Sequence, residues 1–200
     1  MLKTGLLILL LTINCQVFSQ SFSDKINKHR EEYKAEFLTS ERSPLKEKDI
    51  ALLRFYEADE SYVTKATFTR TPDAKEFDMA TYSGVLKKYI KYGTLSFSLN
   101  NENYVLSVYQ GITLQKNPEY ADYLFIPFKD FTNGVETYGG GRYIDYRIGD
   151  IVNGILELDF NIAYNPYCAY SDGYSCPIPP EENHLKTEIK AGEKKFGRDH

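Results

Sequence analysis

The sequence predicts a mainly β domain of the α+β kind: an antiparallel sheet closed into a barrel or folded into a sandwich, with one or two helices at its N-terminal side. Three observations carry this. Helical spacing of apolar residues is confined to the chain before Glu60. Beyond it, apolar and polar residues alternate in short runs. Turn residues separate those runs, with no helical pattern between them to serve as a crossover.

Residues 1–19 read as a secretory signal: Met-Leu-Lys, then "GLLILLLTI" from Gly5 to Ile13, then a polar stretch ending "VFSQ", with cleavage expected after Ser19 or Gln20. A run of that length falls short of the about 20 residues a membrane-crossing helix needs, so no transmembrane span is expected. Cys15 offers a lipoprotein alternative, but Asn14 stands where lipidation wants a small residue, and the cleaved, unlipidated form is preferred. Export to the periplasm or beyond follows.

Residues 20–42 hold an amphipathic helix. Ile26, His29, Tyr33 and Phe37 recur at three to four residues, and Ser23 or Asp24 stands ready to cap the first free N–H groups. The rest, 43–196, is expected to be a single β-rich domain. It opens on a second short helix starting at Ser43-Pro44, with Leu45, Leu52, Leu53 and Tyr56 on its buried side. "YVTKATFT" and "EFDMAT" then alternate as strands. "TLSFSLNNENYVLSVYQ" is the clearest hairpin, with Leu95, Phe97 and Leu99 facing one way and Asn100 to Asn103 as its turn. "YLFIPF", "GRYIDYRI" and "GILELDF" complete the strand set.

The chain carries 24 basic and 28 acidic residues; loss of Lys3 with the signal leaves 23 against 28, a net charge of −5. Neutralising a phosphate backbone needs a clustered excess of Lys and Arg, so no nucleic acid partner is expected. The Lys-rich stretches "KINKHREEYK" and "LKEKD" interleave with acids and read as solvated helix faces.

Chemistry concentrates late in the chain. "FKDFTNGVETYGGGRY" (Phe128 to Tyr143), "DFNIAYNPYCAY" (Asp159 to Tyr170), "CPIPPEENHL" (Cys176 to Leu185) and "AGEK" (Ala191 to Lys194) together resemble the signature blocks of an uncharacterised bacterial family, domain of unknown function 1684. The resemblance spans roughly Ser43 to Lys194. It implies a shared fold and a region of interest, and brings no activity with it.

Read from the residues, Gly140 and Gly141 next to Arg142 make either a strained turn or a nest of backbone N–H groups beside a guanidinium able to grip an anion. Asn161, Asn165 and Asn183 offer uncharged donors and acceptors beside Tyr164, Tyr167 and Tyr170, the mixture found in small-molecule pockets; the alternative is that they tie down irregular backbone. Arg142, Gly140, Gly141, Asp159, Asn161, Asn165, Tyr138 and Tyr170 are therefore the ligand-binding candidates, for a small polar or anionic ligand.

Cys168 and Cys176 are the cysteines left after processing, and in an oxidising compartment they are expected to form a disulfide. Cys168, Cys176 and His184 are evenly spaced, but structural zinc sites usually bring cysteines closer and supply a fourth ligand, so no metal site is assigned. The carboxylates Asp130, Glu136, Asp145, Asp159, Glu182 and Glu193 cluster in the same blocks, and a pair of them is the basis of an alternative reading as an exported hydrolase. A structural envelope module is the third reading. No catalytic residue and no cofactor is assigned.

Overall fold

The computed structural model describes residues 22–197, so the secretory signal and the Cys15 alternative lie outside the described residues. Helix α1 covers 22–39, and a single turn, α2, covers Glu47–Ile50. Seven strands follow: β1 (Val63–Arg70), β2 (Phe77–Met79), β3 (Lys87–Leu99), β4 (Glu102–Gly111), β5 (Tyr123–Phe128), β6 (Arg142–Arg147) and β7 (Ile155–Asp159). All pairings are antiparallel, in the order β6-β5-β4-β3-β1-β7, with β2 added beside β3.

The second helix is shorter than the sequence suggests. Pro44 lies outside it; the Asp49 carboxylate accepts from the Lys46 N–H (3.0 Å), which sets the start of the turn three residues later than expected. Leu45 and Leu53, on either side of it, are buried against Phe37 of α1.

The β3–β4 hairpin pairs Leu99 with Glu102, which leaves Asn100 and Asn101 as a two-residue turn. Both have positive φ (52° and 64°), the left-handed conformation this tightest of hairpins requires and asparagine tolerates. Asn153 and Gly154 close the turn into β7 in the same way. Between Lys91 and Gly93 the register shifts, bending the long β3. A side chain at Gly93 would collide with the Phe68 ring and the Thr69 carbonyl, so the bend depends on glycine.

These bends curl the sheet into a half-barrel whose concave side holds the main core: Ala66, Leu95, Phe97, Leu106, Val108, Leu124, Ile126, Ile144, Leu156 and Leu158. Period-two alternation sends Met79, Tyr89, Tyr109, Phe125 and Tyr143 to the opposite face, where they form a second cluster. The open seam between β6 and β7 is spanned by a single side chain. Tyr146 of β6 donates its hydroxyl to the Glu157 carbonyl (2.9 Å) and accepts from the Asp159 N–H (2.9 Å). One hydroxyl thus satisfies two backbone groups on the free edge of β7 that another strand would otherwise pair.

From Phe160 onward the described residues form no strand and cross the molecule as an ordered strap. Its side chains satisfy backbone groups of the elements it crosses. The Asn183 amide accepts from Ser107 N–H (2.7 Å) and donates to the Ser107 and Pro127 carbonyls (2.9 and 2.8 Å), filling the place where β4 and β5 part. Asn161 does the same for Asp59, accepting from its N–H and donating to its carbonyl.

Candidate functional site

Three parts of the chain meet beside the outer face of β6 and enclose a cavity of about 780 Å³. Helix α1 supplies His29, Tyr33 and Glu36, whose spacing of four and three residues puts them on one helical face. Arg42 comes from the loop after α1 and Lys87 from the start of β3. Tyr143 and Asp145, two residues apart on β6, point the same way. The strap contributes Ile162, Tyr164, Pro166, Tyr167 and the run from Gly173 to Pro177.

Local chemistry places the strap there. The Asp159 carboxylate accepts from the Asn161 N–H (2.8 Å) and caps a single 3-10 turn over Phe160–Ile162. Tyr164 then pairs its backbone with Tyr143, N–H to carbonyl in both directions (2.9 and 3.0 Å). Cys168 and Cys176 are joined by a disulfide with a Cα separation of 6.2 Å. The loop it closes includes Gly173, Tyr174 and Ser175, which form one wall of the cavity.

Two carboxyls stand at this junction, Asp145 partly buried and Glu193 fully buried. Asp145 receives the Tyr164 hydroxyl at 2.5 Å on one oxygen, while its other oxygen is shut from solvent without a partner. Burial pushes its pKa up to about 6, against the opposing pull of the Tyr123 and Tyr164 hydroxyls. Glu193 accepts from Tyr33 (3.0 Å), from Tyr170 (2.7 and 2.8 Å on its two oxygens) and from the Asn165 N–H (2.8 Å). Burial raises it to about 7 despite those donors. The same burial holds Tyr33, Tyr164 and Tyr170 well above the usual phenol range, so they remain protonated donors.

The mouth has the opposite character. Arg42 and Lys87 both line it, and neither has an acidic partner among the described residues. Partial burial, and then the Arg42 charge, lower the Lys87 pKa. Two like charges held near each other without a carboxylate between them are a place where an anion is stabilised.

The residues singled out from the sequence fall into three internal clamps. Arg142 is fully buried. It is paired with Asp130 (2.8 Å) and donates to the carbonyls of Ala191, Ile189 (2.8 Å) and Glu193 (3.4 Å), so that it holds the C-terminal strap against the sheet. Asp130 is itself satisfied by Thr132 and the Ile189 N–H. The glycines before Arg142 serve close packing. Gly141 has φ of +93°, and a side chain there would meet the Phe128 carbonyl and Pro179; one at Gly140 would meet the Tyr138 ring. Asp159 accepts from Asn161, and Asn161 bonds in turn to the Asp59 backbone. Asn165 and Tyr170 converge on Glu193, with Asn165 also donating to the Lys194 carbonyl (2.8 Å). The Tyr138 hydroxyl donates to the Cys168 carbonyl (3.3 Å). Arg142, Gly140, Gly141, Asp159, Asn161, Asn165, Tyr138 and Tyr170 are absent from the cavity lining, which shares only their neighbours Tyr143, Ile162, Tyr164, Pro166 and Tyr167. His184, evenly spaced from the cysteines, bonds to the Pro179 carbonyl (3.1 Å).

Sequence reasoning did not connect Tyr33, Arg42 and Lys87 with one site. The face shared by His29, Tyr33 and Glu36 was readable from helical spacing. Arg42 and Lys87, far apart in sequence and both on the surface, carry no such signal.

No curated protein matches the chain. Among solved structures it is similar to the solution NMR structure of the uncharacterised protein from gene locus rrnAC0354 of Haloarcula marismortui. The two are 33% identical, the match covers 88% of this chain and 95% of that one, and the TM-score is 0.68. The family model described as "Protein of unknown function (DUF1684)" matches residues 48–194, a span that includes both clamped blocks, the cysteine pair and the strap, and the chain belongs to that family.

Proposed function

We propose that this is an exported binding protein for a small anionic ligand, held in the cavity between α1, β6 and the strap. The observation that carries the reading is the pair Arg42 and Lys87, two cations without acidic partners among the described residues, over a concave chamber lined by five tyrosines. At about 780 Å³ the chamber falls within the roughly 300–1,000 Å³ of small-molecule sites. The anion-binding candidate taken from the sequence, Arg142, has its guanidinium engaged by Asp130 and three carbonyls, so the proposal rests on the other face of β6. Export rests on the pattern of residues 1–19, and the disulfide bordering the cavity suits an oxidising compartment. No helix among the described residues is long and apolar enough to cross a membrane.

The test is calorimetric titration of the mature chain with inorganic phosphate and acetate, beside the Arg42→Ala/Lys87→Ala double variant. Saturable binding to the wild type that weakens at least tenfold in the variant supports the site. Equal binding by both proteins refutes it.

A second reading, hydrolysis, draws on Asp145 and Glu36. Both line the cavity; one is partly buried with its pKa raised, the other is exposed, and such divergent environments are how acid and base roles are divided between two carboxylates. Against it, the unpartnered oxygen of Asp145 is closed to solvent. N-terminal sequencing of the protein from cells tests export: a chain beginning at Gln20 or Ser21 is expected, and one beginning at Met1 contradicts it.

A further inference from the structure

The cavity wall says more about its occupant than the charges at its mouth. Five tyrosines line it, and four have their hydroxyls engaged inside the protein. Tyr33 is bonded to Tyr170 and Glu193, Tyr143 to the Pro177 carbonyl, Tyr164 to Asp145, and Tyr174 to the Arg42 carbonyl. Tyr167 alone of the five has a hydroxyl without a protein partner. The rings also brace one another: Tyr143 and Tyr164 meet edge to face at 5.8 Å, Tyr167 and Tyr174 at 5.2 Å, and Tyr33 and Tyr164 tilt together at 6.0 Å.

A tyrosine with its hydroxyl engaged elsewhere presents the cavity with carbon: ring faces, edges and no free donor. Over these rings a polyol would lose hydration that carbon cannot replace; the polar partners left to it are the Tyr167 hydroxyl and lining groups such as His29, Glu36 and Ser175. A flat or aliphatic body loses nothing of that kind and packs against the rings.

Resting on the anion-site reading above, we infer that the ligand class is a small anion with an apolar body, an aryl or short alkyl carboxylate, its charge at Arg42 and Lys87 and its body against the tyrosine rings. Sugar acids, which share the charge and differ in the body, gain nothing from the rings and should bind more weakly. Glu36, at the same mouth, opposes the anion and sets an upper limit on affinity.

The experiment is calorimetric titration of the mature chain with four matched probes: phenylacetate, hexanoate, glucuronate and gluconate. Phenylacetate and hexanoate are expected to bind at least tenfold more tightly than either sugar acid. Arg42→Ala should weaken all four while keeping their order, and Glu36→Gln should tighten all four. Glucuronate or gluconate binding as tightly as phenylacetate overturns the inference and leaves the anion site standing. No saturable binding by any of the four overturns both.

Discussion

The two faces of β6 use the same kinds of residue for opposite ends. On the concave face stand Arg142, Ile144 and Tyr146; on the outer face, Tyr143 and Asp145. Arg142 spreads its two terminal amino groups over Asp130 and three strap carbonyls, with only its Nε left unpartnered, and Tyr146 closes the half-barrel seam. Around Asp145 the balance is incomplete: a carboxyl oxygen without a donor, and at the cavity mouth two cations that Glu36, on the same lining, does not pair with. A polar residue in a β-rich protein is therefore not evidence of a site until its partners are counted. Partners identify the groups that hold the fold together; a buried atom without one, such as Arg142 Nε, Asn165 Oδ1 or Asp145 Oδ1, does not by itself mark a site.

If the concave face is structural, breaking it should be costly. Arg142→Met leaves the buried Asp130 carboxylate without its cation and three strap carbonyls without donors, and should lower unfolding free energy by about 3–5 kcal/mol in urea denaturation. A change below about 0.5 kcal/mol, the usual range for surface sites, would make Arg142 a poor candidate for a clamp.

The next effect is set by pH. Glu193 in the folded protein holds its proton to about 7, whereas the unfolded chain releases it near the ordinary 4.5. The folded state therefore binds more protons across that window, so the contribution of Glu193 to stability falls as pH rises from about 4.5 to 7. Asp145, shifted from 3.8 to about 6, acts in the same direction. Replacing Glu193 with Gln removes the larger of these. Relative to wild type, the variant should gain on the order of 3 kcal/mol between pH 4 and pH 8, at about 1.4 kcal/mol per pKa unit. Parallel stability curves for the two proteins would show that Glu193 titrates alike in the folded and unfolded chains.

A smaller loss is expected at the seam. Tyr146→Phe keeps the ring against the core and deletes only the hydroxyl that serves Glu157 and Asp159, which should cost about 1–2 kcal/mol. Amide hydrogen exchange should then rise first in β7. Arg42→Ala is the smallest in stability: less than about 0.5 kcal/mol, since no carboxylate among the described residues pairs with it. On the proposed function its effect should fall on anion binding, so a large stability loss would move Arg42 from the site to the scaffold.

Local rules were enough for much of the architecture. The alternation at Leu95, Phe97 and Leu99 located β3, and Asn100 located its turn, because side-chain period and positive φ are properties of a few adjacent residues. The second helix was overextended because Pro44 favours a helix start only where the following residues can cap it, and Asp49 reaches back to Lys46. The late blocks drew attention for their Asn, Tyr and Arg content, but whether such side chains face a ligand or a carbonyl depends on what lies across the fold. Arg142 meets residues 189–193, Asn161 meets Asp59, and Asn183 meets Ser107, separations that no spacing rule reads. Arg42 and Lys87 were illegible for the same reason.

The measurement that bears most directly on this division is amide chemical-shift mapping of the mature, isotope-labelled protein titrated with phenylacetate. The account predicts that the largest saturable shifts fall at Arg42, Lys87 and the strap from Tyr164 to Tyr174, with Gly140 to Arg142 and Ile189 to Glu193 nearly unmoved. Shifts concentrated at Gly140 to Arg142, with the cavity residues silent, would contradict it.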